Sequence, residues 1–563
     1  MTNECVLALG ALAFATACGR TTWDMPAPPN DGGVEAGVAV ESGRPWTGII
    51  TANKLDVLLL LDNSSSMADK QGPLAGALPD LVRRLAGVQD LHVGVVTSSL
   101  GGHGAATCED SEDSNDHAEL LASRPRGKAT GPTGDFIEWS PADGIDALSS
   151  QVESIVASAG QSGCGLESQF EAVYRFLVDP APPQDVVLIR CGETQCATPA
   201  GINHVILTQR AAFLRPDSAV AIILLSDEND CSIQDSSQYY YVAGLDVVLP
   251  VPSTVCDANP NDPCCHSCGL PTPPDCSPDP ICDPPPTPLD KKADPINLRC
   301  FDQERRFGID FLYPVERYVN AFTKPELCTT RIDLDARGAC PARPDGLPAT
   351  VVNPLFEKGP RGRDPSMVHV LGIVGVPWQD IAVDPAHAEL HYRSAEDLVA
   401  SNVWDQILGE PNPDGNAPPI LPLDVHMQEA VDVRTGLPGP DAEYMADPIH
   451  GHERTISDRD DLQHACIFEL PKPPTCSDYD CACYRIGPDE TNPVCQTPTR
   501  YEPIQHFGRA FPGLRELSLI KGLGPQGNVA SICPRNLSDN TAQDYGYLPP
   551  IEAFAAELSK HVE

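Results

Sequence analysis

The stretch "LDVLLLLDNSSSM", Leu55–Met67, passes from hydrocarbon to hydroxyl within a single step. Apart from Asp56, every residue from Leu55 to Leu61 is apolar; an acid, an amide and three serines then follow. Apolar runs without alternation mark strands buried on both faces. Four more runs share this character: Leu91–Ser99, Ala219–Asp227, Met367–Pro377 and the shorter Asn528–Cys533. Helical patterns accompany them. Pro73–Val88 places Leu74, Leu78, Leu81, Val82 and Leu85 on one side, with Pro79 as a point of break or kink. Glu167–Asp179 does the same with Phe170, Val173, Tyr174 and Leu177, and Ile551–Val562 closes the chain as an amphipathic helix. The alternation predicts an α/β fold: a doubly wound, mostly parallel sheet with long loop insertions rich in Cys and Pro.

The whole chain sets further bounds. Its 563 residues exceed one simple core. A formal net charge of −41 excludes the basic footprint that nucleic-acid binding needs. It suits a soluble exported protein or one that handles divalent cations. The chain has 22 cysteines, more than a cytosolic protein of this size carries without metal. Setting aside Cys5 and Cys18 leaves an even number, enough for ten disulfides of open connectivity. "CVLALGALAFATAC" has the length and character of a signal h-region and is too short to span a bilayer. Ala15-Thr16-Ala17-Cys18 resembles a bacterial lipobox, with Ala15 in the usual leucine position and no Lys or Arg in the "MTNE" n-region. Cys18 is thus the expected lipidation site. The expected location is the cell envelope, at the outer membrane through a lipid anchor, with plain secretion as the alternative.

Composition divides the rest. Residues 1–18 are the signal and lipobox segment, and 19–50 a flexible stalk rich in Pro, Gly and acids. Residues 51–235 form the first part of the core. Residues 236–310 are a Cys/Pro-rich insertion whose 251–300 stretch holds 13 Pro and 7 Cys. The core resumes over 311–377, is interrupted by a loop-rich insertion over 378–510, and ends with the last strand and helix over 511–563. "HAELH" (His387–His391) lacks the metalloprotease spacing and reads as two ordinary histidines. Cys265/Cys268 and Cys481/Cys483 have no second zinc knuckle at the right distance and read as disulfide cysteines. No nucleophile elbow, Walker loop or dinucleotide fingerprint occurs, so no catalytic residue is assigned and the chain is not expected to be an enzyme.

In open α/β sheets, ligands bind beyond the carboxyl ends of the strands. Asp62, Ser64 and Ser66 fall just past the first strand, and Asp227 ends the third run in "LLSDENDCS". Oxygen donors of this kind suit hard divalent cations. The pattern resembles the von Willebrand factor A (VWA) domain and its metal-ion-dependent adhesion site. Asp62, Ser64 and Ser66 match that family's D-x-S-x-S element, and Asp227 its later aspartate. Glu167 stands where the family has a threonine, five residues before the small Ala172; Thr97 is the weaker substitute. More narrowly, "DNSSSM", "HVGVVTSSLG", "GCGLESQFEA", "FLRPDSAVAIILLSDENDCS", "DDLQHACIF" and "GLGPQGNVASIC" resemble exported bacterial lipoproteins built on this domain.

The resemblance implies one divalent cation, Mg²⁺ or alternatively Ca²⁺ or Mn²⁺. Ser64, Ser66 and Glu167 would contact it, Asp62 and Asp227 would orient its waters, and an acidic residue of a protein partner would complete it. Cys164 and Cys231 flank the two later site loops, with partners left open. The alternative is a disulfide-rich surface protein with a vestigial metal site. A metal-dependent hydrolase using a serine of "DNSSS" is weaker, because neither a general base nor a full ligand set can be assembled.

Overall fold

The computed structural model describes residues 53–561 except 86, 109–113, 122–133, 193, 246, 284–293, 329–339, 341–347, 357–362, 414–416, 477–480 and 485–490. Cys5, Cys18 and the signal and stalk segments lie outside the described residues. The apolar runs form strands β1 (Lys54–Leu61), β2 (Asp90–Thr97), β4 (Ala219–Leu225), β5 (Val368–Val374) and β6 (Gly527–Ser531). A three-residue strand, β3 (Ile137–Trp139), adds an edge the apolar pattern did not announce. The sheet order is β6-β5-β4-β1-β2-β3. Every pair is parallel except β2–β3.

Helices cover both faces, which is why the strands are apolar without alternation. On one face Leu55, Val57, Leu59 and Leu61 pack with helices α1 (Gln71–Arg84), α2 (Ile145–Ala157) and α7 (Leu548–Leu558). On the other, Leu58 and Leu60 meet α3 (Gln169–Leu177), α4 (His204–Phe213), α5 (Val315–Thr323) and α6 (Leu514–Leu523). Pro79 sits inside α1 without ending it. Asp56, the one polar residue of the β1 run, is buried and held by Arg215, whose Nε lies 2.8 Å from Oδ1, and by the Ser218 hydroxyl.

All twenty cysteines of the described chain pair into ten disulfides. Cys256–Cys265, Cys264–Cys276 and Cys268–Cys282 pin the proline-rich insertion. Cys476–Cys481 and Cys483–Cys495 stand beside a hairpin of Cys466–Glu469 and Phe507–Ala510. Cys466–Cys533 ties that hairpin to the end of β6. So many disulfides fit an extracellular or otherwise oxidising environment. No described helix is long and apolar enough to cross a membrane.

Candidate functional site

The register places Leu61 beside Thr97 on one side and Leu225 on the other. Asp62, Ser98 and Ser226 therefore stand in a row just past the carboxyl edge of the sheet. Between β1 and β4 the strand order reverses, and such a switch point leaves a crevice. The Asp62 amide donates to Leu225 O at 3.0 Å, so the chain leaves β1 still tied to β4.

The side chains then converge. Asp62 is fully buried; its Oδ1 accepts from the Ser64 amide at 2.8 Å, and its Oδ2 from the Ser226 hydroxyl at 2.8 Å. Ser64 Oγ and Ser66 Oγ are 3.0 Å apart, and Ser66 Oγ donates to Asp227 Oδ1 at 2.9 Å. Ser64 and Ser66 are half-buried, so the cluster opens to solvent on their side. The D-x-S-x-S spacing works because a 3₁₀ turn over Ser65–Asp69 folds the serines back over Asp62.

Glu167 belongs to the loop leading into α3 and is anchored from both neighbouring strand ends. The Cys231 amide donates to Glu167 O at 2.7 Å, and the Ser168 amide to Ser98 O at 2.8 Å. Helix α3 has no cap of its own from Ser168. It borrows one: Asp230 Oδ1 accepts from the Phe170 amide at 2.9 Å, and Ser232 Oγ from the Glu171 amide at 3.0 Å. The "SDENDCS" element thus supplies both an acid for the site and the cap that sets the Glu167 loop. Gly163 is required where that loop passes Asn63, because a Cβ there would lie 2.4 Å from Asn63 Oδ1 and 2.6 Å from Ser99 Oγ. Cys164 pairs with Cys108 and Cys231 with Cys300, so the two site loops are stapled outward and not to each other. Thr97 turns aside and donates its hydroxyl to Asp116.

The electrostatics show a shortage of positive charge. Burial, then the Asp227 carboxylate, lifts Asp62 from 3.8 to about 6. Burial, then Glu228, Asp62 and Asp227, raises Glu167 well above the ordinary carboxylate range. Half-buried Glu228 rises to about 8 through burial, Asp227 and Asp62. Among the described residues Arg509 eases the charge on Glu228, and Lys70 faces Asp227 directly. The Lys70 ammonium, 1% exposed, lies 3.1 Å from Asp227 Oδ2 and 2.7 Å from Asp69 Oδ1. Burial works against its charge, but Asp227 and Asp69 outweigh burial and raise it above the usual lysine value.

No protein-family model, curated protein or solved structure matches this chain. The site therefore rests on its own donors. Asp62, Ser64, Ser66 and Asp227 are joined by hydrogen bonds, and Glu167 reaches them through its field. Sequence reasoning missed Ser226, Glu228, Gln169 and Lys70. The first two adjoin Asp227 in the chain; Gln169 and Lys70 carry no spacing signal. Gln169 Nε2 donates to Ser226 Oγ at 2.9 Å, while its buried Oε1, like buried Ser98 Oγ at the end of β2, has no hydrogen-bond partner among the described residues. Donors that are oxygen throughout, an excess of buried acid and orphaned polar atoms at the strand ends all fit a hard divalent ion.

Proposed function

We propose that the chain is an exported binding protein, lipid-anchored through Cys18 or secreted, that engages a protein partner through a divalent cation in the manner of a VWA adhesion site. The observation that carries this reading is the hydrogen-bonded chain Asp62–Ser226 and Ser64–Ser66–Asp227 at the switch point between β1 and β4. Ser64, Ser66 and Glu167 would hold the ion, Mg²⁺ first and Ca²⁺ or Mn²⁺ as alternatives, with Asp62 and Asp227 beside it. When bound, the ion would offer an open position to a carboxylate of the partner. Titration calorimetry with Mg²⁺ and Mn²⁺ tests the reading: one site is expected, and Asp62→Ala abolishes it. Equal binding by that variant overturns the assignment.

Lys70 favours a second reading. Its ammonium already meets part of the charge on Asp227, so the oxygen cluster can stand without an ion while the disulfide-pinned loops form the contact surface. Capture of a partner from the native cell envelope separates the two. Capture that survives both EDTA and Asp62→Ala supports the second reading and removes the first.

A further inference from the structure

Residues 378–465 contain no cysteine, in a chain that closes ten disulfides elsewhere. Two turns of this segment meet on a buried polar cluster instead. His426 lies in a 3₁₀ turn, Val425–Met427, capped by the Asp424 side chain. His450 lies in a tight turn closed by hydrogen bonds in both directions between the backbones of Asp447 and Gly451, at 2.8 and 2.9 Å. The imidazole centroids are 4.8 Å apart, and the Asp447 carboxylate lies against both. His426 Nε2 is 3.3 Å from Asp447 Oδ2, and His450 Nδ1 is 3.4 Å from Asp447 Oδ1. One ligand-capable atom from each residue lies within 4.8 Å of the other two. Both histidines are more than nine-tenths buried.

The outward nitrogens are already engaged. His426 Nδ1 lies 2.7 Å from Asp424 Oδ1, and His450 Nε2 lies 3.0 Å from Glu453 Oε1. Glu453 is itself fixed by Arg434, through Nε at 3.0 Å, Nη2 at 2.7 Å and the backbone amide at 2.7 Å. Asp447 Oδ1 accepts from the Ile449 amide at 2.7 Å. Each imidazole therefore faces a carboxylate on both sides, and a neutral imidazole carries only one proton. A metal ion would take the inner nitrogen of each ring, with the ring proton held on the outward nitrogen by Asp424 and by Glu453. Among the described residues, hydrogen bonding alone also leaves the buried Nδ1 of His450 without a partner.

We propose that His426, Asp447 and His450 bind one divalent transition ion, with Zn²⁺ the ion of fitting ligand class. A ring nitrogen held from behind by a carboxylate is how metal-ligating histidines are oriented. Metal bonds of about 2.0–2.2 Å separate neighbouring ligand atoms of a tetrahedral ion by about 3.3–3.5 Å. Each imidazole meets its own Asp447 oxygen at 3.3 or 3.4 Å, and the three ligand atoms lie within 4.8 Å of one another, so a bound ion would draw the two turns slightly together. Two nitrogens and one carboxylate set this site apart from the all-oxygen strand-end cluster. The ion would clamp the turn at 424–427 to the turn at 447–453, the work that disulfides do elsewhere in the chain. This site is independent of the strand-end reading.

The test uses the full chain, stripped with EDTA and titrated with Zn²⁺ and with Co²⁺ as spectroscopic probe. One equivalent of Zn²⁺ is expected. Co²⁺ should give the intense visible absorption of a four-coordinate, nitrogen-ligated ion, which an all-oxygen site does not give. His450→Ala and His426→Gln should lose the band and weaken Zn²⁺ binding at least 100-fold. Asp424→Asn should weaken it about 10–100-fold. His391→Ala, in the exposed pair His387/His391, should leave it unchanged. No Zn²⁺ uptake by the wild-type chain, or a Co²⁺ band that persists in His450→Ala, overturns the proposal. Should the ligand variants not fold, proton NMR of the Co²⁺-loaded wild type decides. Two paramagnetically shifted imidazole N–H signals support the site, and their absence rejects it.

Discussion

Residues 252–282 and residues 424–453 are both loop-rich and both lie outside the sheet, but different bonds hold them. The first segment has three disulfides within a few turns of chain and buries few hydrophobic side chains. The second has none. It is organised by a buried ion pair, Arg434 with Glu453, by Asx turns at Asp424 and Asp447, and by the histidines between them. A disulfide acts mainly on the unfolded chain and does not respond to pH in the physiological range. A buried ion pair acts on the folded chain and fails if one partner is removed. One protein thus shows two ways to order chain that lacks apolar periodicity.

The largest expected effect falls on the charge-held segment. Glu453→Ala strips Arg434 of its paired carboxylate and leaves a buried guanidinium, at a cost of about 3–5 kcal/mol. Thermal or urea unfolding measures it, and a loss below about 1 kcal/mol would break the contrast. Next comes the stapled segment. Replacing both Cys268 and Cys282 by serine opens a loop of sequence separation 14 and is expected to cost about 2–3 kcal/mol. Hydrogen exchange should then rise over 252–282 and stay unchanged over 424–453; a rise in both segments would show that they are coupled.

A smaller effect comes from Glu429, which accepts from Asn229 Nδ2 at 2.5 Å and joins the cysteine-free segment to the loop after β4. Burial, then Asp302, lifts its carboxyl from 4.5 to about 8. A raised folded value means that the stability is present below the unfolded value and is lost as pH rises through about 8. Allowing for partial exposure, roughly 1–2 kcal/mol should be lost between about pH 5 and 8, with a plateau above. Melting curves across that range should show the slope, and Glu429→Gln should flatten it. The smallest effect belongs to the sheet itself. Ser232→Ala removes the half of the borrowed α3 cap that holds the Glu171 amide and should cost about 1 kcal/mol, with faster amide exchange at Glu171 as its local sign.

Four of the five buried strands were legible because their runs are apolar on both faces with few exceptions; β6, Gly527–Ser531, is shorter and carries Asn528 and Ser531, and it was named from the Val529–Cys533 part of its run. Edge strand β3 was not: it has three residues, antiparallel pairing and Glu138 pointing outward. Helix α4 was also missed; it buries Ile206 and Phe213 together with Gln209 and Arg210, so its inner face is not apolar. At the site, Asp62, Ser64, Ser66 and Asp227 could be named because they directly follow apolar runs. Ser226 follows the same apolar run and was open to the same reading without being named; Lys70 and Gln169 could not be, since the turn after β1 and the entry to α3 bring them in, not spacing. His426 and His450 lie in a segment without periodicity, and only the folded turns bring them to Asp447.

The sheet has a kinetic consequence. β1 must find β4 more than 150 residues away, and β5 and β6 arrive later still from Val368 and Gly527. Closing such long loops makes assembly slow. The disulfides fall into two groups by sequence separation. Seven span 5 to 14 residues and can form in the still unfolded chain, while Cys108–Cys164, Cys231–Cys300 and Cys466–Cys533 span 56 to 69. Cys466–Cys533 joins the hairpin to the chain just past the last strand, so it is expected to act as a latch whose native pairing in oxidative refolding follows the docking of β6 on β5.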